Sequence, residues 1–141
     1  MDSELDAELV AQYRQAIYQV GMGSDAFDVK VNQYSERMFQ LMGEKHVSYA
    51  AIITAYNPLS QVCDVQRNQA AYHRLRNTLM HTAFPLIESV NIDPFGIWPD
   101  ERSICVLGID LETICTMGRK FEQNAIIWIE RNGVPQLVIL R

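Results

Sequence analysis

The chain alternates between segments of helical and of extended hydrophobic period. Residues 3–14 place Leu5, Leu9, Val10 and Tyr13 on one helical face, with Ser3 as the expected N-cap and acidic residues near the start. Two short extended runs follow, Ile17–Val20 and Phe27–Val31, separated by Gly21, Gly23, Ser24 and Asp25, and read as a hairpin. Residues 34–42 carry Met38, Phe39, Leu41 and Met42 on an expected helix that Gly43 would stop. From Val47 to Tyr56 both faces are apolar, as in a central strand covered on both sides, and Asn57-Pro58 ends it because proline cannot donate to a ladder. Val65, Asn68, Tyr72, Leu75 and Leu79 then define one face of a helix spanning 63–81. A strand is expected at 86–91, a loop over 93–100 from two prolines and a glycine, and a second central strand at 103–109. Asp110 should cap a helix over 111–120, with Leu111, Ile114, Cys115, Gly118 and Phe121 turned inward. The runs 125–130 and 134–140 form a hairpin around Asn132-Gly133, a pair that accepts the positive φ angles of a type I′ turn.

From residue 47 the order is strand, helix, strand, strand, helix, strand, with one closing strand. The expected class is α+β: a split β-α-β (ferredoxin-like) sheet, with an N-terminal helix, hairpin and helix added and a C-terminal β-hairpin. The placement of the first 45 residues stays open. A length of 141 residues with 48% hydrophobic positions suits a single domain over 1–141 that needs no disulfide or metal to hold its core.

Following the chain through this topology brings four distant segments to one end of the sheet. They are Thr54–Pro58, the first turns of the long helix with Asn68, the loop carrying Trp98, Glu101 and Ser103, and the stretch from Gly118 to Gln123. A small polar ligand is expected there, bound by Thr54, Asn57, Asn68, Trp98, Glu101, Arg119 and Gln123. The amides would orient it, Trp98 would stack on it, and Glu101 and Arg119 would supply charge, with Glu101 the best candidate for a general acid or base. Each residue also has a purely structural reading. Asn68 would hold the neighbouring loop, Asn57 would be a turn residue, and Trp98 would be a hydrophobic plug. Glu101 and Arg119 would form an ion pair, and Gly118 would let helix and sheet approach closely.

These same residues carry a resemblance. Ile53-Thr-Ala-Tyr-Asn-Pro58 with Ser60, Asn68, Trp98 with Glu101 and Ser103, and Gly118-Arg-Lys-Phe-Glu-Gln-Asn-Ala125 resemble a bacterial family of uncharacterised small proteins, domain-of-unknown-function family 3293. Tyr13-Arg14 and Tyr18 look like the opening of that family. The resemblance supports a shared site without implying a particular chemistry.

Charge narrows the partners. The chain has 12 basic and 17 acidic side chains, net −5; residues 1–70 account for −4 of this and residues 71–141 for −1. An acidic surface repels phosphate backbones, which argues against nucleic acid, including RNA contact through Arg67, Arg74 and His81. The acidic start suggests an alternative function, a protein-interaction module that neutralises or regulates a basic partner without catalysis. No apolar run exceeds five residues, Tyr49 to Ile53, so no membrane association is expected. The opening segment lacks the regions of a secretory signal, and Cys63, Cys105 and Cys115 form an odd set without CxxC spacing, so a reducing cytoplasm is expected. Cys105 and Cys115 read as buried thiols, while Cys63, near a helix start, is a weaker candidate nucleophile. His46, His73 and His81 are scattered without zinc spacing, so neither metal nor cofactor is expected. The Val/Leu/Ile-rich closing strand is an edge that leaves monomer and homodimer both open.

Overall fold

The computed structural model describes residues 6–141. In chain order the elements are α1 (Ala7–Gln15), β1 (Ile17–Val20), β2 (Phe27–Val29), α2 (Glu36–Glu44), β3 (Tyr49–Thr54), α3 (Val65–Met80), β4 (Leu86–Ile92), β5 (Glu101–Leu107), α4 (Leu111–Lys120), β6 (Ala125–Glu130) and β7 (Pro135–Ile139). The class is α+β. One sheet takes up all seven strands in the order β2-β1-β4-β5-β3-β6-β7, and every neighbouring pair is antiparallel. Each helical crossover, β3-α3-β4 and β5-α4-β6, steps over one intervening strand. The N-terminal hairpin extends the sheet, because β1 pairs with the free edge of β4.

Caps set the helix starts. Asp6 accepts from the Glu8 amide, Ser35 from Met38, Asp64 from Arg67 and Asp110 from Thr113. Helix α1 is thus capped by Asp6, while the expected cap Ser3 and the apolar position Leu5 lie outside the described residues. Helix α2 does not stop at Gly43. It runs on to Glu44 and closes in a Schellman motif: the Val47 N–H reaches the Met42 carbonyl at 3.0 Å and the His46 N–H reaches Gly43 at 3.2 Å. His46, not a glycine, takes the left-handed position (φ 54°).

The final hairpin forms where expected, but through a different turn. Of Asn132 and Gly133 only the glycine has positive φ (76°), whereas a type I′ turn needs both. The Gly133 amide donates to Glu130, and its carbonyl accepts from Ser35 at 2.9 Å, so the turn is fixed against the start of α2. A Cβ on Gly133 would lie 3.1–3.2 Å from Phe39, Tyr34 and the Ser35 carbonyl, so a larger residue would be both crowded and strained at this φ.

The alternation of β3 divides two cores. Ala51 and Ile53 face α3 and α4, packing with Tyr72, Leu75, Leu79, Ile104, Val106, Ile114 and Trp128. Ala50 and Ile52 face the other way, against Tyr18, Val20, Val29, Met38, Met42, Cys105, Leu107, Ile127 and Ile129. Each fully buried aliphatic side chain contributes about 1.5–3 kcal/mol, and both faces of the sheet are supplied with them. At the ends of the expected faces, Val65 and Leu111 are exposed instead. Gly118 permits the close approach expected of it: a Cβ there would sit 2.5 Å from Leu140 Cδ1.

The sheet is strongly curled. In a flat sheet β2 and β7 would stand ~29 Å apart. Yet the amide of Asn32, three residues past β2 and so within ~10 Å of it, donates to the Pro135 carbonyl at 2.8 Å. Helices α3 and α4 cover the convex side. Helix α2 fills one end of the concave side with Met38 and Met42.

Candidate functional site

The other end of the concave side is not filled. A cavity of about 90 Å³ lies there between α1 and the sheet. By the same measure a water needs about 10–15 Å³, so the space suits roughly six to nine waters or non-hydrogen ligand atoms. Helix α1 and its C-cap Ala16 form one wall, through Leu9, Gln12, Tyr13 and Ala16. Tyr18 of β1 and Leu137 of β7 both line it, although a flat sheet would hold them ~24 Å apart.

Strand parity explains which side chains point in. Thr54 follows Ile52 on the concave face, and Glu101 lies on that face with Ser103 and Cys105. Glu101 is not a loop residue as expected, because β5 starts at position 101, two residues earlier than the apolar run indicates. It faces Asn91 across the β4–β5 ladder, and Asn91 in turn faces Tyr18. Asn91 Oδ1 accepts from Ser103 Oγ at 2.7 Å.

Asn57 organises the loop after β3. It is left-handed (φ 48°), a conformation that asparagine tolerates better than most residues. Its backbone N–H donates to Asn68 Oδ1 (2.8 Å), and its Oδ1 accepts from Asn68 Nδ2 (2.9 Å) and from the Cys63 amide (3.0 Å). Its Nδ2 donates to Glu101 Oε2 at 2.7 Å. Leu59 and Ser60 are also left-handed, and the Leu59 amide reaches the Glu122 carbonyl at 2.7 Å. Gln123 Nε2 donates to the Tyr56 carbonyl, and Asn124 Nδ2 to Ser60 Oγ. Ser60 Oγ also meets the Tyr13 hydroxyl, which ties α1 to this loop across 47 positions of sequence. Tyr18 donates its hydroxyl to the Tyr13 carbonyl at 2.8 Å.

The loop after β4 is pinned by Asp93. Its carboxylate accepts from the amides of Phe95, Ile97 and Trp98, which places Trp98 and Pro99 at the cavity. The amides of Trp98 and Phe95 hold the Asp93 carboxyl below the usual range. Burial acts oppositely on Glu101 and raises its pKa, against the lowering effect of the Asn57 bond. Burial likewise raises the pKa of Tyr13 and of Tyr18.

Of the seven expected ligand residues, Thr54, Asn57, Trp98, Glu101 and Gln123 line this cavity. Asn68 stands behind Asn57, 6% exposed, with its amide directed at Asn57. Arg119 is elsewhere: it is exposed near the end of α4, its Nε donates to the Leu140 carbonyl, and it forms no ion pair with Glu101. Sequence reasoning missed Asn91 and Asp93, and noted Tyr13 and Tyr18 only through resemblance. The wall formed by α1 had a weak signal in Leu9 and Tyr13 on one helical face.

Other candidates lie outside the cavity. Cys63 is half-buried and gives only its backbone amide to Asn57. Cys105 is fully buried, its thiol pushed up to about 12 by that burial, and burial also raises half-buried Cys115. Among the described residues no three His, Cys, Asp or Glu side chains gather as a metal site. Nor is any described helix long and apolar enough to cross a membrane.

Fold and site together define an α+β protein whose curled antiparallel sheet holds a cavity under its first helix. Residues 53–126, just over half of the chain, match the model of a family described as proteins of unknown function, DUF3293, and the chain belongs to that family. No curated protein and no solved structure matches it. The matched span includes Thr54, Asn57, Asn68, Trp98, Glu101 and Gln123, while α1 and β1 lie before it.

Proposed function

We propose that the protein binds a small polar molecule in the cavity between α1 and the concave face of the sheet. One observation carries this reading. Strands β1, β3, β4, β5, β6 and β7 all send residues to one unfilled space, which mixes aliphatic walls with Tyr13, Asn91, Trp98 and the half-buried Glu101. In this reading Thr54, Asn57 and Gln123 border the ligand, Trp98 offers it an aromatic surface, and Asn68 acts by fixing Asn57. Glu101 is suited to hold or exchange a proton there, since burial brings its pKa closer to neutrality than that of an exposed carboxyl. The alternative of an acidic interaction module has less support: Asp6 is engaged as the cap of α1, and the inner face of that helix walls the cavity.

The test is a fragment screen by ligand-observed NMR on the wild type and on Ala125→Leu, which adds three carbons to the cavity wall. The expected result is a set of hits that compete with one another and are lost in the variant while its fold is retained. Hits that survive in Ala125→Leu place binding elsewhere and refute the proposal.

A further inference from the structure

Resting on that reading of the cavity, we infer that its ligand is a small organic cation, a protonated amine on an apolar or aromatic body, bound at Glu101. The argument is one of charge placement. Glu101 Oε2 accepts from Asn57, while Oε1 takes no hydrogen bond from any described residue. No Lys, Arg or His is among the described residues that line the cavity. The nearest guanidinium in sequence, Arg102, lies on the opposite face of β5, 2.9 Å from Glu88 and 4.0 Å above the Tyr72 ring. Arg119 is bound to the Leu140 carbonyl, and Arg14 is exposed on α1 outside the cavity lining. The second acid, Asp93, has its oxygens turned to three backbone amides.

An anionic ligand would therefore lose hydration without gaining a cationic partner, and would face a carboxylate at close range. A cation gains on both counts. It also meets Tyr13, Tyr18, Tyr56 and Trp98, whose ring faces attract positive charge, and it is drawn by a net charge of −5. The size of the cavity suits a molecule of roughly six to nine non-hydrogen atoms.

Three probes of matched shape test this: 2-phenylethylamine, 2-phenylethanol and phenylacetate, titrated at pH 7 by calorimetry and by amide NMR into the wild type and Glu101→Gln. Glutamine can still accept from Asn57, so the loop is kept. The expected result is that the amine binds about tenfold or more tighter than the other two and shifts the amides of Thr54, Asn91 and Ala125. Glu101→Gln should weaken the amine about tenfold and leave the alcohol unchanged. Equal or tighter binding of phenylacetate, or amine binding insensitive to Glu101→Gln, overturns the inference. If alcohol and amine bind alike and shift the same amides, the charge inference fails and the cavity reading stands. If none of the three shifts the cavity amides at millimolar concentration, both fail.

Discussion

Replacing Asn57 by alanine should destabilise the protein by about 3–6 kcal/mol, a large share of the roughly 5–15 kcal/mol that holds a domain together. The side chain makes three hydrogen bonds, and their losses differ. Asn68 is nearly buried, so its Nδ2, now 2.9 Å from Asn57 Oδ1, would be left without a partner, at about 1–3 kcal/mol. The Cys63 amide and Glu101 Oε2 are closer to water and recover part of their loss, leaving about 0.5–1 kcal/mol each. Position 57 is left-handed at φ 48°, where alanine costs about 1 kcal/mol more than asparagine. In a chain of this length the sum corresponds to a fall in melting temperature of about 10–20 °C. Urea unfolding and calorimetry of Asn57→Ala, Asn68→Ala and the double variant measure both the loss and the coupling, which should reach about 1 kcal/mol through the one bond between the two side chains, because the bond from the Asn57 backbone N–H survives in Asn57→Ala. A loss below about 1 kcal/mol for Asn57→Ala would refute the reasoning. The loop would then be held by its backbone bonds alone, chiefly Leu59 to Glu122 and Ser60 to Asn57.

Glu101→Gln should behave in the opposite way. Burial raises the folded-state pKa of Glu101, so the unfolded chain loses this proton first, and stability falls as pH rises from the ordinary carboxylate range through the raised value. The variant should therefore melt higher than the wild type at pH 7 and equally at pH 3; thermal scans that show no gain at pH 7 would contradict the burial argument. Gly118→Val should cost about 2–3 kcal/mol, because even a Cβ meets Leu140 at 2.5 Å and Ile126 at 3.1 Å; denaturant midpoints decide it. Tyr13→Phe removes the hydroxyl that joins α1 to Ser60, worth about 1 kcal/mol. Amide exchange in α1 should quicken about fivefold while the sheet is unaffected, and unchanged exchange in α1 would show that the bond does not hold the helix.

The order of elements was legible because many boundaries have a local chemical cause. Asn57-Pro58 turns the chain after β3, Asp110 caps α4, and Gly133 takes the turn. The convergence of Asn57, Glu101 and Gln123 followed from strand direction, and Asn57 and Glu101 do touch. Arg119 shows the limit of that reasoning. Topology gives the end of the sheet on which a residue lies but not the side, and α4 packs on the convex side. Parity carried the missing signal, since Thr54 shares a face with Ile52, and Glu101 with Cys105. The curl was not legible. It depends on which edges β1 and β2 join and on the crossings from Asn32 to Pro135 and from Ser35 to Gly133, long-range choices that strands of four and three residues do not encode. Without the curl, Tyr18, Asn91 and Leu137 have no reason to meet, and α1 has no cavity to cover.

The two ends of the concave side set stability against function within one sheet. Where α2 lies, Met38 and Met42 are fully buried and the space is packed. Where α1 lies, the space is lined by Leu9, Gln12, Tyr13 and Ala16 together with Ala125 of β6, and none of the described residues of that helix is buried. Larger apolar residues at 16 and 125 would remove more surface from water at about 25 cal/mol per Å². The small side chains, the half-buried carboxylate and the left-handed run at Asn57, Leu59 and Ser60 each forgo stability at the same end of the molecule. A core left open at one end and packed at the other is the arrangement expected when the open end serves a ligand rather than the fold.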